Sequence, residues 1–103
     1  EDPAGRTHHM NDDAKNALIS YRMEKAVESV EAAQLMLDNA MLTSAMNRIY
    51  YAMFYAVQAV LITNDACFSK HGQVKGYFNK EFVRKGIFPV HLGKIYNKAF
   101  EYR

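Results

Sequence analysis

The chain has 103 residues, half of them hydrophobic and 23% charged, with a formal net charge of +2. That length holds one core, and that balance excludes a disordered chain. The single cysteine, Cys67, excludes an internal disulfide and fits a reducing cytosol. No secretory signal is visible. The apolar run at 49–63 is broken by Gln58 and is shorter than the ~20 residues of a membrane span.

Residues 1–10 do not read as part of the fold. His8, His9 and Met10 look like the end of an affinity tag running into a start methionine. The domain is therefore placed at 11–103. Setting the segment apart also removes two of the four histidines from any metal site.

A first helix is expected from about Asp13 to Asn39. Asn11, Asp12 and Asp13 supply capping oxygens and the negative charge that suits a helix N-terminus. Ile19, Met23, Ala26, Val30, Ala33 and Leu37 alternate spacings of four and three, the pattern of a helix–helix seam. Arg22, Glu24, Lys25, Glu28 and Glu31 fall on the solvent side. Asn39 is the expected stop.

A second helix spans about Leu42 to Asn64, antiparallel to the first because the connection is short. It carries three faces. Ala45, Ile49, Ala52, Ala56 and Ala59 form a small-residue face that admits another helix closely. Met46, Tyr50, Met53, Val57 and Val60 form a second face. Arg48, Tyr51, Tyr55 and Gln58 form a polar stripe. A helix so apolar belongs inside a bundle. Arg48 is then expected as a buried structural cation bonded to an acid or a carbonyl, with ligand binding as the lesser reading.

Residues 64–69 break the periodicity and read as a loop. A third helix begins near Ser69, a good N-cap, and ends at Lys85-Gly86, where Gly86 suits a left-handed cap. Val74, Phe78 and Phe82 share one of its faces, and His71, Lys75 and Asn79 another. Pro89 can open a fourth helix, with Leu92, Ile95, Tyr96, Ala99 and Phe100 as the apolar face. That helix has no stop signal at Tyr102-Arg103, so the native chain is expected to continue. Nothing reads as a strand. The expected fold class is all-α, an antiparallel up-and-down bundle of four or five helices.

Charge is divided unevenly along the chain. Residues 11–65 carry −3 and residues 66–103 carry +6. The basic part suits an anionic partner, nucleic acid or an acidic protein. It could equally be a solvated surface balanced by the acidic first helix.

Ser69-Lys70-His71-Gly72 is the best local candidate for chemistry. Cations in the first turn of a helix oppose its macrodipole unless an anion docks on the free N–H groups. His71 titrates near neutrality and could shuttle a proton during phosphodiester cleavage, with Arg48 or Arg103 facing the developing charge. The plainer alternative is a surface histidine beside a loop. Tyr50, Tyr51 and Tyr55 could stack on bases, or serve as core or interface aromatics. No metal site is expected: there is no Glu-x-x-His, no Cys-x-x-Cys and no phosphate-binding Gly-rich loop.

Several segments in order resemble the HEPN superfamily, named for prokaryotic and higher-eukaryotic nucleotide-binding domains. They are Tyr21-Arg22-Met23-Glu24-Lys25-Ala26, Asn47-Arg48-Ile49-Tyr50-Tyr51-Ala52-Met53-Phe54, Phe68-Ser69-Lys70-His71, residues 78–86 and residues 99–103. The likeness is to small stand-alone prokaryotic members. It implies a helical bundle, often a homodimer, acting on RNA or binding nucleotide without a metal or cofactor. It also implies a toxin–antitoxin or defence pair with a nucleotidyltransferase partner.

Catalytic members use an arginine and a histidine on the last long helix, roughly four to six residues apart. Arg103 stands where that arginine is expected, and no histidine follows it. Arg84 and His91 have similar spacing but are separated by Gly86 and Pro89, so that match is coincidental. By this reading Arg103 and His71 are the catalytic candidates. Arg48, Ser69, Lys70, His71 and Lys75 would contact RNA or another anion. Tyr50, Tyr51 and Tyr55 would stack or form an interface. The competing function is a non-catalytic interaction module whose basic half docks an acidic protein.

Overall fold

The computed structural model describes residues 11–103, so the expected tag at 1–10 lies outside the described residues. Four α-helices follow one another: α1 (Asp12–Asp38), α2 (Leu42–Ile62), α3 (His71–Phe78) and α4 (Val90–Tyr102). One π-helical turn, Asn79–Val83, extends α3. No strand occurs among the described residues, and the fold is an all-α helical bundle.

Local chemistry sets the helix boundaries. Asn11 caps α1, its Oδ1 accepting from the Ala14 N–H at 2.8 Å. Three helix ends then close in one way, with a left-handed residue bonding back to the preceding turn: Ala40 (φ 58°), Asp65 (φ 56°) and Gly86 (φ 81°). In each, the next N–H reaches back five residues, from Met41 to Met36, Ala66 to Leu61 and Ile87 to Phe82. Pro89 precedes the fourth helix as its cap, one position earlier than expected.

The central element is α2. It packs along α1 on one side and against α3 and α4 on the other, whereas α1 touches no helix but α2. Ala45, Ala52 and Ala59 of α2 are buried, as are Ala26, Ser29 and Ala33 of α1. Small side chains on both helices let the backbones approach.

This seam corrects the expected one. The buried line on α1 keeps the expected Ala26 and Ala33 but runs through Ser29 between them, and Met23, Val30 and Leu37 stay exposed along its edge. Arg22 is not on the solvent side: it is half-buried and its Nε is enclosed. The aromatic core lies on the opposite face of α2. There Tyr50, Phe54, Val57 and Leu61 pack with Phe68, Val74, Phe78, Phe82 and Tyr96.

Two more expectations change at this level. On α4 the buried residues are Gly93 and Tyr96, while Leu92 and Ile95 face outward. At the first end of α2, Met46 and Ile49 remain exposed rather than buried.

Gly93 is where α4 meets the π-helical turn. A Cβ there would lie 3.0 Å from Asn79 Oδ1 and 3.1 Å and 3.2 Å from the two Val83 methyls. Gly76, inside α3, has open space around it. Gly76→Ala should therefore stabilise by about 0.5–1 kcal/mol through helix propensity alone. Gly93→Ala should fall below Gly76→Ala by about 1–3 kcal/mol, because crowding outweighs the same gain. Urea unfolding of both variants measures the difference, and equal stabilities would contradict this packing.

Candidate functional site

His71 begins α3, directly after an extended loop. Tyr50 precedes the end of α2 by twelve residues, about 18 Å of helix, so the loop must run back along α2 to bring His71 to it. Gln58 holds the loop there, its Nε2 donating to the Phe68 carbonyl at 3.3 Å. The Phe68 ring is buried beneath.

His71 arrives in an aromatic wall. Its ring stacks on Phe54 with centroids 4.0 Å apart and planes 9° apart. Its Nδ1 lies 2.7 Å from the Tyr50 hydroxyl. Tyr51 meets the ring edge-on at 5.6 Å. Tyr50 in turn lies parallel to Tyr96 at 6.2 Å and edge-on to Phe100.

Three cations rest on these rings. The Arg103 guanidinium lies 4.1 Å from the Phe100 ring centre and 5.7 Å from that of Tyr50, with Nη1 donating to the Phe100 carbonyl. Lys75, one turn after His71, places Nζ 4.5 Å from the same Phe100 ring. Arg48 sits 4.9 Å over Tyr51, its Nη2 bonded to Asn47 Oδ1 at 2.9 Å. None of the three forms an ion pair with a carboxylate among the described residues.

The electrostatics follow from burial. Desolvation, then the Arg103 charge, holds His71 below the usual imidazole pKa, so the ring is neutral at pH 7. Burial raises Tyr50, and burial together with the Tyr50 hydroxyl raises Tyr96, so both phenols keep their protons. The arrangement offers cations, aromatic faces and a neutral imidazole, with no competing acid. It suits a ligand that bears both negative charge and a planar base.

His71, Arg103, Lys75 and Arg48 thus come together around Tyr50 and Tyr51. His71 is half-buried against Phe54 rather than free beside the loop, and Arg48 bonds a side-chain carbonyl, that of Asn47, one of the two kinds of partner expected for it. Arg48 is half-exposed and held by Asn47 and Tyr51. Tyr55 is the next ring along, 6.0 Å from Tyr51. Ser69 and Lys70 are exposed, and neither caps α3: Lys70 occupies the N-cap position and no side chain bonds there. Arg84 and His91 are both exposed.

Sequence reasoning missed Phe54, Tyr96 and Phe100 as walls of the site. The signal was present in Tyr96, Phe100 and Arg103, spaced four and three on one helix face. Among the described residues no three potential metal ligands cluster. No helix among the described residues is long and apolar enough to cross a membrane.

A concave feature lies elsewhere, between α2 and α4. It is an apolar groove of about 390 Å³, lined by Met46, Ile49, Ile95, Ala99 and Tyr102 and flanked by Lys94 and Lys98.

Comparison with known proteins bears on this geometry. The family model described as the HEPN domain matches residues 19–103. The chain belongs to the HEPN-domain family. A UPF0332 protein of Thermotoga maritima is 47% identical over 89 residues, covering 86% of this chain and 67% of its own length. "Putative toxin MJ0142" of Methanocaldococcus jannaschii is 38% identical, covering 79% of this chain and 55% of its own. "Putative toxin MJ0605" of the same organism is 32% identical, covering 82% and 63%. This HEPN chain thus spans about half to two thirds of the length of those curated relatives. No solved structure matches it.

The neutral imidazole gives a pH prediction. His71 has a depressed pKa in the folded state, so its contribution to stability is complete above about pH 6.5 and is lost as the pH falls below that. In a buffer free of polyvalent anions, the melting temperature should drop from about pH 7 to about pH 5. His71→Gln should drop less steeply over that range. Parallel curves for the two proteins would contradict a desolvated His71.

Proposed function

We propose that this chain is a toxin-type HEPN protein of a toxin–antitoxin or defence pair, and that it engages RNA at the His71 cluster. The observation carrying this reading is the set of three cations, Arg48, Lys75 and Arg103, on an aromatic wall with no carboxylate among the described residues to neutralise them. Phosphates meet the cations, and bases stack on Tyr51 and Tyr55. The names of the two archaeal relatives support the toxin assignment. The resemblance supports a nucleotidyltransferase antitoxin as partner and a homodimer as the working form. Lys70 and Ser69, at the mouth of the loop, add a further cation and a hydroxyl.

The test is binding of single-stranded RNA, followed by fluorescence anisotropy over a range of salt. Lys75→Ala and Arg103→Ala should each weaken binding and lower the slope of log K against log salt by about 0.7. Tyr51→Ala should cost about 1–3 kcal/mol through lost stacking. RNA shortened by the parent protein but not by Arg103→Ala or His71→Gln would extend the reading to cleavage. Unchanged slopes in both cation variants would remove the site from RNA recognition.

The groove between α2 and α4 favours a second reading, docking of a protein. Its apolar floor and Lys94–Lys98 flank fit an amphipathic helix with acidic edges. Lys94→Glu with Lys98→Glu should abolish a complex with such a partner and leave RNA binding at the His71 cluster unchanged. Loss of RNA binding in that double variant would mean that the groove is the nucleic-acid surface.

A further inference from the structure

The side of α2 turned away from Arg48, Tyr51 and Tyr55 is open and apolar. Met46, Ile49, Met53 and Ala56 follow one another there at spacings of three, four and three, so they form one ridge along the helix. Met46 is 54% exposed and Ile49 42%. On one side of the ridge lies the groove that α2 shares with α4. On the other side α2 and α1 share a second apolar groove, of about 430 Å³, edged by Met23, Val27 and Val30. Because α1 and α4 do not touch, the ridge stands alone between the two grooves.

The edges of this face carry opposite charge. Glu24, Glu28 and Glu31 run along the α1 edge at spacings of four and three, and all three are exposed. Lys94 and Lys98 line the α4 edge. A central ridge with a groove on each side, one acidic edge and one basic edge is complementary to itself. A two-fold axis running along α2 lays α1 of each copy over α4 of the other. The exposed Val27 and Val30 then meet the α2–α4 groove, and glutamates meet lysines. An axis running across α2 would lay α1 upon α1 and set glutamate against glutamate. The charges therefore choose between the two pairings.

We infer that two copies of this chain meet on this face about a two-fold axis along α2, with α1 of each copy filling the α2–α4 groove of the other. The inference rests on the reading of that groove as a docking site for an amphipathic helix with acidic edges, and it names α1 of a second copy as that helix. Pairing covers the α2 ridge and the valines of α1, which a single copy leaves in water. Arg48, Tyr51 and Tyr55 lie on the far side of α2, so the RNA-contacting clusters of both copies stay outside the interface.

The test is sedimentation equilibrium of the 103-residue protein over a range of concentrations. The parent should be a dimer. Glu24→Lys with Glu31→Lys should weaken the dimer about tenfold or more, and so should Lys94→Glu with Lys98→Glu. An equal mixture of these two variants should associate as tightly as the parent, because acid and base then meet again at both contacts. A variant that had merely failed to fold would not be rescued in this way. Ile49→Glu, on the ridge, should give a monomer with its helical circular dichroism intact.

A monomeric parent overturns the pairing. So do charge variants that dimerise as the parent does, or a mixture that stays dissociated. A designed helical peptide with a leucine stripe and glutamate edges separates the pairing from the groove reading beneath it. If the parent is a monomer yet binds the peptide, and Lys94→Glu with Lys98→Glu removes that binding, the groove keeps its role and only the second copy is wrong. If the parent neither pairs nor binds the peptide, both fail.

Discussion

The bond between the Tyr50 hydroxyl and His71 joins the middle of the fold to its surface. Tyr50 is 1% exposed and touches side chains of α2, α3 and α4. Its ring fills the aromatic core, and its oxygen is the polar atom that allows a histidine to be drawn against that core. Without a partner, an imidazole stacked on Phe54 would leave a buried nitrogen unmade. With it, the start of α3 is fixed against α2, and Lys75 follows one turn later at the edge of Phe100. Arg103 reaches the same ring from α4. The cationic cluster is thus a consequence of core packing, not an addition to the surface.

The division of labour on α2 makes this possible. Its alanine face satisfies α1 through small side chains, which leaves the aromatic face for α3 and α4. Because α1 touches no helix but α2, the acidic helix and the basic segments lie on opposite sides of a single spine. The charge asymmetry along the sequence therefore becomes an asymmetry in space. The two sides need not neutralise each other, and Arg48, Lys75 and Arg103 keep their charge for something outside the chain.

Much of this was legible in the residues. The helices, the Asn11 cap, the left-handed Gly86 and the Val74–Phe78–Phe82 face follow from periodicity and backbone preference, which act locally. The HEPN likeness rested on Tyr50-Tyr51 and Phe68-Ser69-Lys70-His71, which lie at the site. What was not legible depended on pairing between elements. Of the α1 seam, Ala26 and Ala33 were read correctly, but Met23 and Val30 were preferred to Ser29 because they are more hydrophobic, whereas close approach rewards size over hydropathy. Arg48 was expected to be buried against an acid or a carbonyl because its helix is apolar; it does bond the Asn47 side-chain carbonyl, but the end of α2 that carries it is open. The depth of His71 could not be read, since it depends on an eight-residue loop doubling back along α2.

The most direct test of the account is photocrosslinking of single-stranded RNA carrying 4-thiouridine, followed by mapping of tryptic peptides. The account predicts adducts on the peptides 49–70 and 71–75, which carry Tyr51, Tyr55, His71 and Lys75. Adducts confined to residues 90–98, or crosslinking unaltered by Arg103→Ala, would contradict an RNA site centred on His71.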